Sequence, residues 1–137
     1  MTNYFALAIA LCSPLFAQEK EWISLFNGKN LDGWTPKITG QEMGVNLHDT
    51  FRVEDGILKC EYDKYPVFNK QFGHLYSDLS YSHYILRMEY KFVGKMMADA
   101  PHYVNLNSGI MFHSQPPQSM TLEQAFSGEH GVPIPCR

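Results

Sequence analysis

The sequence predicts an all-β protein, a β-sandwich, on three observations. Beyond its first seventeen residues the chain carries no long amphipathic helical pattern. It alternates apolar and polar residues over short runs punctuated by glycine, proline and asparagine, the pattern of strands joined by turns. Its aromatic fraction is 14%, with eight Tyr and nine Phe, and large rings favour pleated surfaces. Many short strands with regular turns are the signature of a sandwich.

A chain of 137 residues forms one domain at most. Its net charge of -3 gives no support to a nucleic-acid or anionic-membrane partner. Residues 1–17, "MTNYFALAIALCSPLFA", hold no Lys, Arg, Asp or Glu, and the small Ala17 precedes the charged "QEKEW". That pattern predicts a signal peptide and an exported protein, secreted or periplasmic; a buried N-terminal helix is the alternative. The apolar run Tyr4 to Leu11 is too short to span a bilayer. Leu11 before Cys12 is too large for lipoprotein cleavage. Removal of the signal leaves Cys60 and Cys136, which an oxidising compartment permits to pair, although sequence alone does not bring them together.

The elements follow in order. "EWISLF" (residues 21–26) reads as a strand buried on both faces, and "NGKNLDGW" carries the turn signals Asn27-Gly28 and Asp32-Gly33. "FRVEDGILKCEY" is the sharpest local signal: Asp55-Gly56 sits between two alternating runs, as a two-residue hairpin demands, and glycine takes positive φ without steric cost. "FGHLYS" predicts a short strand. "YSHYILRMEYKFVG" predicts a long one, ended by Gly94. "KMMADAPHYVNL" reads as a loop with a helical turn, "NSGIMFHS" as a strand, and "QPPQS" as a break, because paired prolines cannot join a ladder. "MTLEQAF" allows a short helix, and the tail "SGEHGVPIPCR" shows no periodicity.

Along Tyr84–Phe92 the residues Tyr84, Leu86, Met88, Tyr90 and Phe92 share one face, and Ile85, Arg87, Glu89 and Lys91 the other. Antiparallel pairing with "NSGIMFH", with the apolar sets in common, places Arg87, Glu89 and Lys91 beside Asn107, Gly109 and His113. A mid-strand glycine weakens a sheet unless something approaches closely. Two readings stand: a ligand face, or cross-strand charge pairs on a solvated sheet.

"WISLFNGKNLDGW", "FRVEDGILKC", "GHLYSDLSYSHYILRMEYKF" and "NSGIMFH", in this order and spacing, resemble the 3-keto-disaccharide hydrolase domain family, also described as 3-keto-glucoside 1,2-lyase and 3-keto-2-hydroxy-glucal hydratase. The resemblance runs from about Trp22 to about His113. It implies a concanavalin A-like jelly-roll sandwich, a carbohydrate substrate already oxidised at C3, and a divalent metal by analogy. Glu89, Tyr90 and Lys91, and Asn107 to Ile110, fall on the family's motif positions. His83 stands where many relatives have an Asp. The family continues past "NSGI" with further strands, whereas residues 115–137 read as an irregular tail. The expectation is therefore a signal at 1–17, the N-terminal part of the domain at 18–114, and a domain incomplete at its C-terminus.

Cleavage of a 3-keto-glycoside needs a base for the acidified C2 hydrogen, a polariser for the enolate, and an acid for the leaving oxygen. Glu89 and His113 are the candidate catalytic residues, and Asn107, Arg87, Lys91 and Gly109 the candidate substrate-binding residues. Each has a plainer role: an ion pair for Glu89 with its neighbouring cations, a surface position for His113, turn chemistry for Asn107, and solvated charge for Arg87 and Lys91. Trp34, Tyr76, Tyr81 and Tyr103 suit either sugar stacking or a core. His48, Asp49, His74 and His102 show no metal-ligand spacing. A carbohydrate-binding module without catalysis and an inactive fragment are the competing readings, since a fold does not fix a function.

Overall fold

A computed structural model of the chain describes residues 21–128 and 131–134; the signal expected at 1–17 and Cys136 lie outside them. The described residues are all-β, with six strands in three two-stranded antiparallel sheets and only single turns of 3-10 geometry besides.

The hairpin forms where the sequence places it. Phe51–Glu54 (β2) and Ile57–Cys60 (β3) pair antiparallel with Glu54 opposite Ile57. Asp55 and Gly56 have φ of 53° and 76°, so both central residues are left-handed, as the tight hairpin turn requires. Gly73–Ser77 (β4) is also a strand. Its partner is Trp34–Ile38 (β1), with Trp34 opposite Ser77 and Ile38 opposite Gly73. No sequence pattern announced β1, because Pro36 and Lys37 interrupt any apolar alternation. Pro36 has no N–H to give, but its carbonyl accepts from the Gly44 N–H at 2.8 Å.

The buried apolar residues form a small core: Ile38, Phe51, Tyr65, Phe68 and Met120. A chain of ring contacts runs through it: Tyr62 to Phe68 at 5.6 Å, Phe68 to Phe72 at 5.1 Å and Phe72 to Phe126 at 4.8 Å between centroids. These separations and tilts suit the edge-to-face preference of aromatic quadrupoles. Gly73 is the point of closest approach: a Cβ there would stand 3.0 Å from the Phe51 Cζ. The absence of a side chain lets the hairpin lie against β4.

Four expectations are corrected. Residues 21–26 form no strand, and residues 120–126 form turns rather than a helix. Tyr84–Phe92 enters no strand pairing among the described residues. Residues 78–91 are exposed throughout, Ile85 to 75%. Finally, Ser108–Met111 (β5) pairs not with Tyr84–Phe92 but with Gly131–Ile134 (β6), inside the tail expected to be irregular. The physical reason is the same in the last two cases. Which strands pair is a nonlocal choice that alternation within one strand does not specify.

Candidate functional site

The residues proposed from sequence occupy two regions. Glu89 stands on the exposed stretch, its side chain 90% accessible, with Arg87 Nη2 at 3.6 Å. Lys91 is likewise exposed. Asn107 lies just before β5; its amide donates to the Tyr103 carbonyl at 2.9 Å, and its N–H to the Val104 carbonyl at 3.3 Å. Those bonds close the single turn His102–Val104, which is the turn role of asparagine. Gly109 stands opposite Pro133 in the β5–β6 register. His113 follows β5 with φ of 53° and is exposed, its ring 5.7 Å from that of Phe112. Because β5 takes β6 as partner, no strand pairing among the described residues brings Asn107, Gly109 and His113 beside Glu89.

The aromatic candidates divide. Trp34 is half-buried, its indole N–H donating to the Leu25 carbonyl at 3.0 Å. The Tyr76 hydroxyl points at the Met120 sulfur, 2.9 Å away. Tyr81 and Tyr103 remain exposed.

Ionic contacts concentrate on the hairpin. The Arg52 guanidinium reaches Glu54 at 2.9 Å, Asp63 at 2.8 Å, and Glu61. Lys59 bonds Glu54, and Lys64 bonds Asp49. The Arg52 and Lys59 hydrogen bonds hold the Asp63 and Glu54 carboxyls below their ordinary range, and Lys64 does the same for Asp49. These charges knit β2, β3 and the following turn together.

Among the described residues no group of three His, Cys, Asp or Glu is placed to hold a metal ion. His48 packs edge-on against Tyr65 at 4.8 Å, His74 bonds the Ala125 carbonyl at 2.8 Å, and Asp49 bonds Lys64. The divalent metal implied by resemblance therefore has no matching donor set among the described residues, and no chemical step is assigned to one.

One concave feature escaped the sequence reading. A cavity of about 230 Å³ lies between the turn after β1 and the segment after Pro117–Ser119. Gln41 and Glu42 line one wall, Gln118, Met120 and Leu122 the other, and Lys37 lies among them. Lys37 is only 2% exposed. Its Nζ donates to the carbonyls of Ile38 at 3.2 Å, Gln41 at 2.8 Å and Leu122 at 3.1 Å. No ion pair among the described residues includes it. A lone lysine in "WTPKI" gives no sequence signal of such burial.

A family model, the 3-keto-alpha-glucoside-1,2-lyase-like domain, matches residues 21–132. The match covers most of the chain and extends beyond residue 114, through most of the tail and into β6. The chain belongs to this family. Searches of the curated proteins and of the solved structures found no match.

Proposed function

We propose that the protein is an exported carbohydrate-active enzyme domain that cleaves 3-keto-glycosides by elimination and hydration. The observation that carries this reading is the family match over residues 21–132.

The chemistry follows from the ketone. A C3 carbonyl acidifies the C2 hydrogen. A base takes that proton, the electron pair moves into an enolate, and the C1–O bond breaks as its oxygen is protonated. Water then adds to the unsaturated sugar, which makes the overall change a hydrolysis. Glu89 is the base in this proposal: its carboxylate is open to solvent and held by a single guanidinium at 3.6 Å. His113 is the acid for the departing oxygen; it, Asn107 and Gly109 act from the β5 region, so the proposal requires that region to close on the same sugar as Glu89. Arg87 and Lys91 offset the enolate charge, Asn107 bonds a sugar hydroxyl, and Gly109 leaves room for the ring. Export rests on the composition of residues 1–17.

The test is hydrogen–deuterium exchange at C2 of methyl 3-keto-glucoside, followed by NMR. The wild type should exchange, and Glu89→Gln should slow exchange about 10²-fold or more, the scale of a general base. Unchanged exchange in Glu89→Gln removes Glu89 from the mechanism. A second reading, sugar binding without turnover, draws on the exposure of Glu89, whose ion pair among the described residues is with Arg87. Binding of methyl glucoside with no C2 exchange would favour it.

A further inference from the structure

We propose that residues 84–92 are a self-recognition strand: they pair antiparallel with the same residues of a second copy of this chain, about a two-fold axis at Met88. The proposal does not depend on the reading of Glu89 as a base. Pairing uses a main-chain edge, and its test reads mass rather than turnover.

Residues 84–93 run without a turn or bend, and two contacts show the side chains alternating as those of a strand do. Arg87 Nη2 lies 3.6 Å from Glu89, and the rings of Tyr90 and Phe92 stand 5.6 Å apart. Each contact joins residues two positions apart, which share a face in extended chain. Among the described residues the main chain of residues 84–89 enters no ladder and makes no hydrogen bond. An open, extended edge is a template for another strand. Main-chain bonds then supply affinity, and side chains set the register.

The side chains select the partner. A pairing centred on Met88 sets Arg87 opposite Glu89 of the second copy and, by symmetry, Glu89 opposite the second Arg87. On the other face it sets Leu86 opposite Tyr90 and Tyr84 opposite Phe92, cross-strand pairs of the kind that stabilise sheets. Ile85, 75% exposed, meets the aliphatic stem of Lys91. Other arrangements fit less well. Centring on Glu89 opposes Glu89 to itself and Arg87 to Lys91, like charges throughout. A slip of one residue sets apolar side chains against charged ones. Centring on Tyr90 joins Glu89 to Lys91, but it runs Leu86 against Gly94, whose φ of 87° ends the extended run. A parallel pairing in register stacks each charge on its own kind.

The experiment is sedimentation velocity on the full chain over about a hundredfold range of concentration. The wild type should show a monomer–dimer equilibrium. Arg87→Glu sets two Glu–Glu pairs across the axis, and Glu89→Arg two Arg–Arg pairs. Each should raise the dissociation constant about tenfold or more. The double variant Arg87→Glu/Glu89→Arg restores opposite charges across the axis and should return the constant to within about threefold of the wild type. It could not do so in the Tyr90-centred register, where an arginine at 89 faces Lys91. The two side chains are 76% and 90% accessible, so the fold does not rest on them, and matching circular-dichroism spectra check that. A monomer at every concentration overturns the proposal. So does an open series of sizes without a dimer, a pair of single variants that associate like the wild type, or a folded double variant that stays monomeric. A Glu89-dependent C2 exchange would stand in each of those cases.

Discussion

The Lys37 ammonium donates to the Leu122 carbonyl at 3.1 Å, across 85 positions of sequence. A backbone bond runs beside it, from the Gly40 N–H to the same carbonyl at 2.8 Å. Together they fasten the end of β1 to the segment that follows Pro117–Ser119. Lys37→Met removes the donor common to three carbonyls. The expected loss is about 1–3 kcal/mol, the cost of a buried polar group left without its partner. Urea denaturation of wild type and variant measures it. An unchanged midpoint would show that the three bonds contribute nothing net.

Gly73 and Phe51 make a second testable pair. A methyl at residue 73 would approach the Phe51 ring to 3.0 and 3.2 Å, closer than carbon atoms tolerate. Gly73→Ala should destabilise the protein by about 1–3 kcal/mol, the scale of overpacking. Phe51→Leu alone should cost up to about 1.5 kcal/mol as a hydrophobic exchange of roughly similar volume. The double variant should lose less than the sum, because the smaller side chain relieves the clash. A double-mutant cycle by thermal denaturation detects that coupling.

The hairpin turn predicts a local effect. Gly56 has φ of 76°, and a Cβ there would meet the Gly28 carbonyl oxygen at an ordinary 3.9 Å, so any penalty for Gly56→Ala is conformational rather than steric crowding from neighbours. It should be about 1–2 kcal/mol. Ile38, fully buried in β1, makes the contrast. Ile38→Ala should cost about 2–5 kcal/mol through lost burial and a cavity.

Stability should fall on the acid side. Asp49, Glu54 and Asp63 are held below their ordinary values by hydrogen bonds from Lys64, Lys59 and Arg52. Asp99 is lowered by the N–H groups of Phe68 and Asn69, at 3.0 and 3.1 Å. A carboxyl depressed in the fold stabilises it above its unfolded value, roughly 4. That stability disappears as pH falls through the lower folded value. Melting temperature should therefore hold steady above about pH 5 and decline below about pH 4. Asp99→Asn should flatten part of the decline, and a melting series across pH 2–7 checks both statements.

The structure also shows which parts of a fold a sequence exposes. Asp55-Gly56 was legible because a two-residue turn is decided by the residues that form it. β4 was legible because a glycine opens a compact apolar run. β1 was hidden by Pro36 and Lys37, whose roles appear only once β4 and residue 122 stand beside them. β6 was hidden for a related reason: a strand containing Pro133 reads as a loop until β5 becomes its partner. The alternation of residues 84–92 was real, but alternation names a face and not a neighbour. For the same reason, the motif positions Glu89 and Asn107 were visible while their spatial relation was not. Nothing in "WTPKI" announces a caged cation, because the cage is made by carbonyls, which every residue carries.

The bare stretch of residues 78–91 has a practical consequence at the bench. Ile85, Tyr84 and Met88 face water on a segment whose main chain enters no ladder among the described residues, which is a template for stacking between molecules. Encounters of that kind scale with the square of concentration. How long a preparation stays clear should therefore depend more on dilution than on cooling. A lysine substituted at Ile85 would extend that time by setting like charges against each other whenever two such ribbons meet.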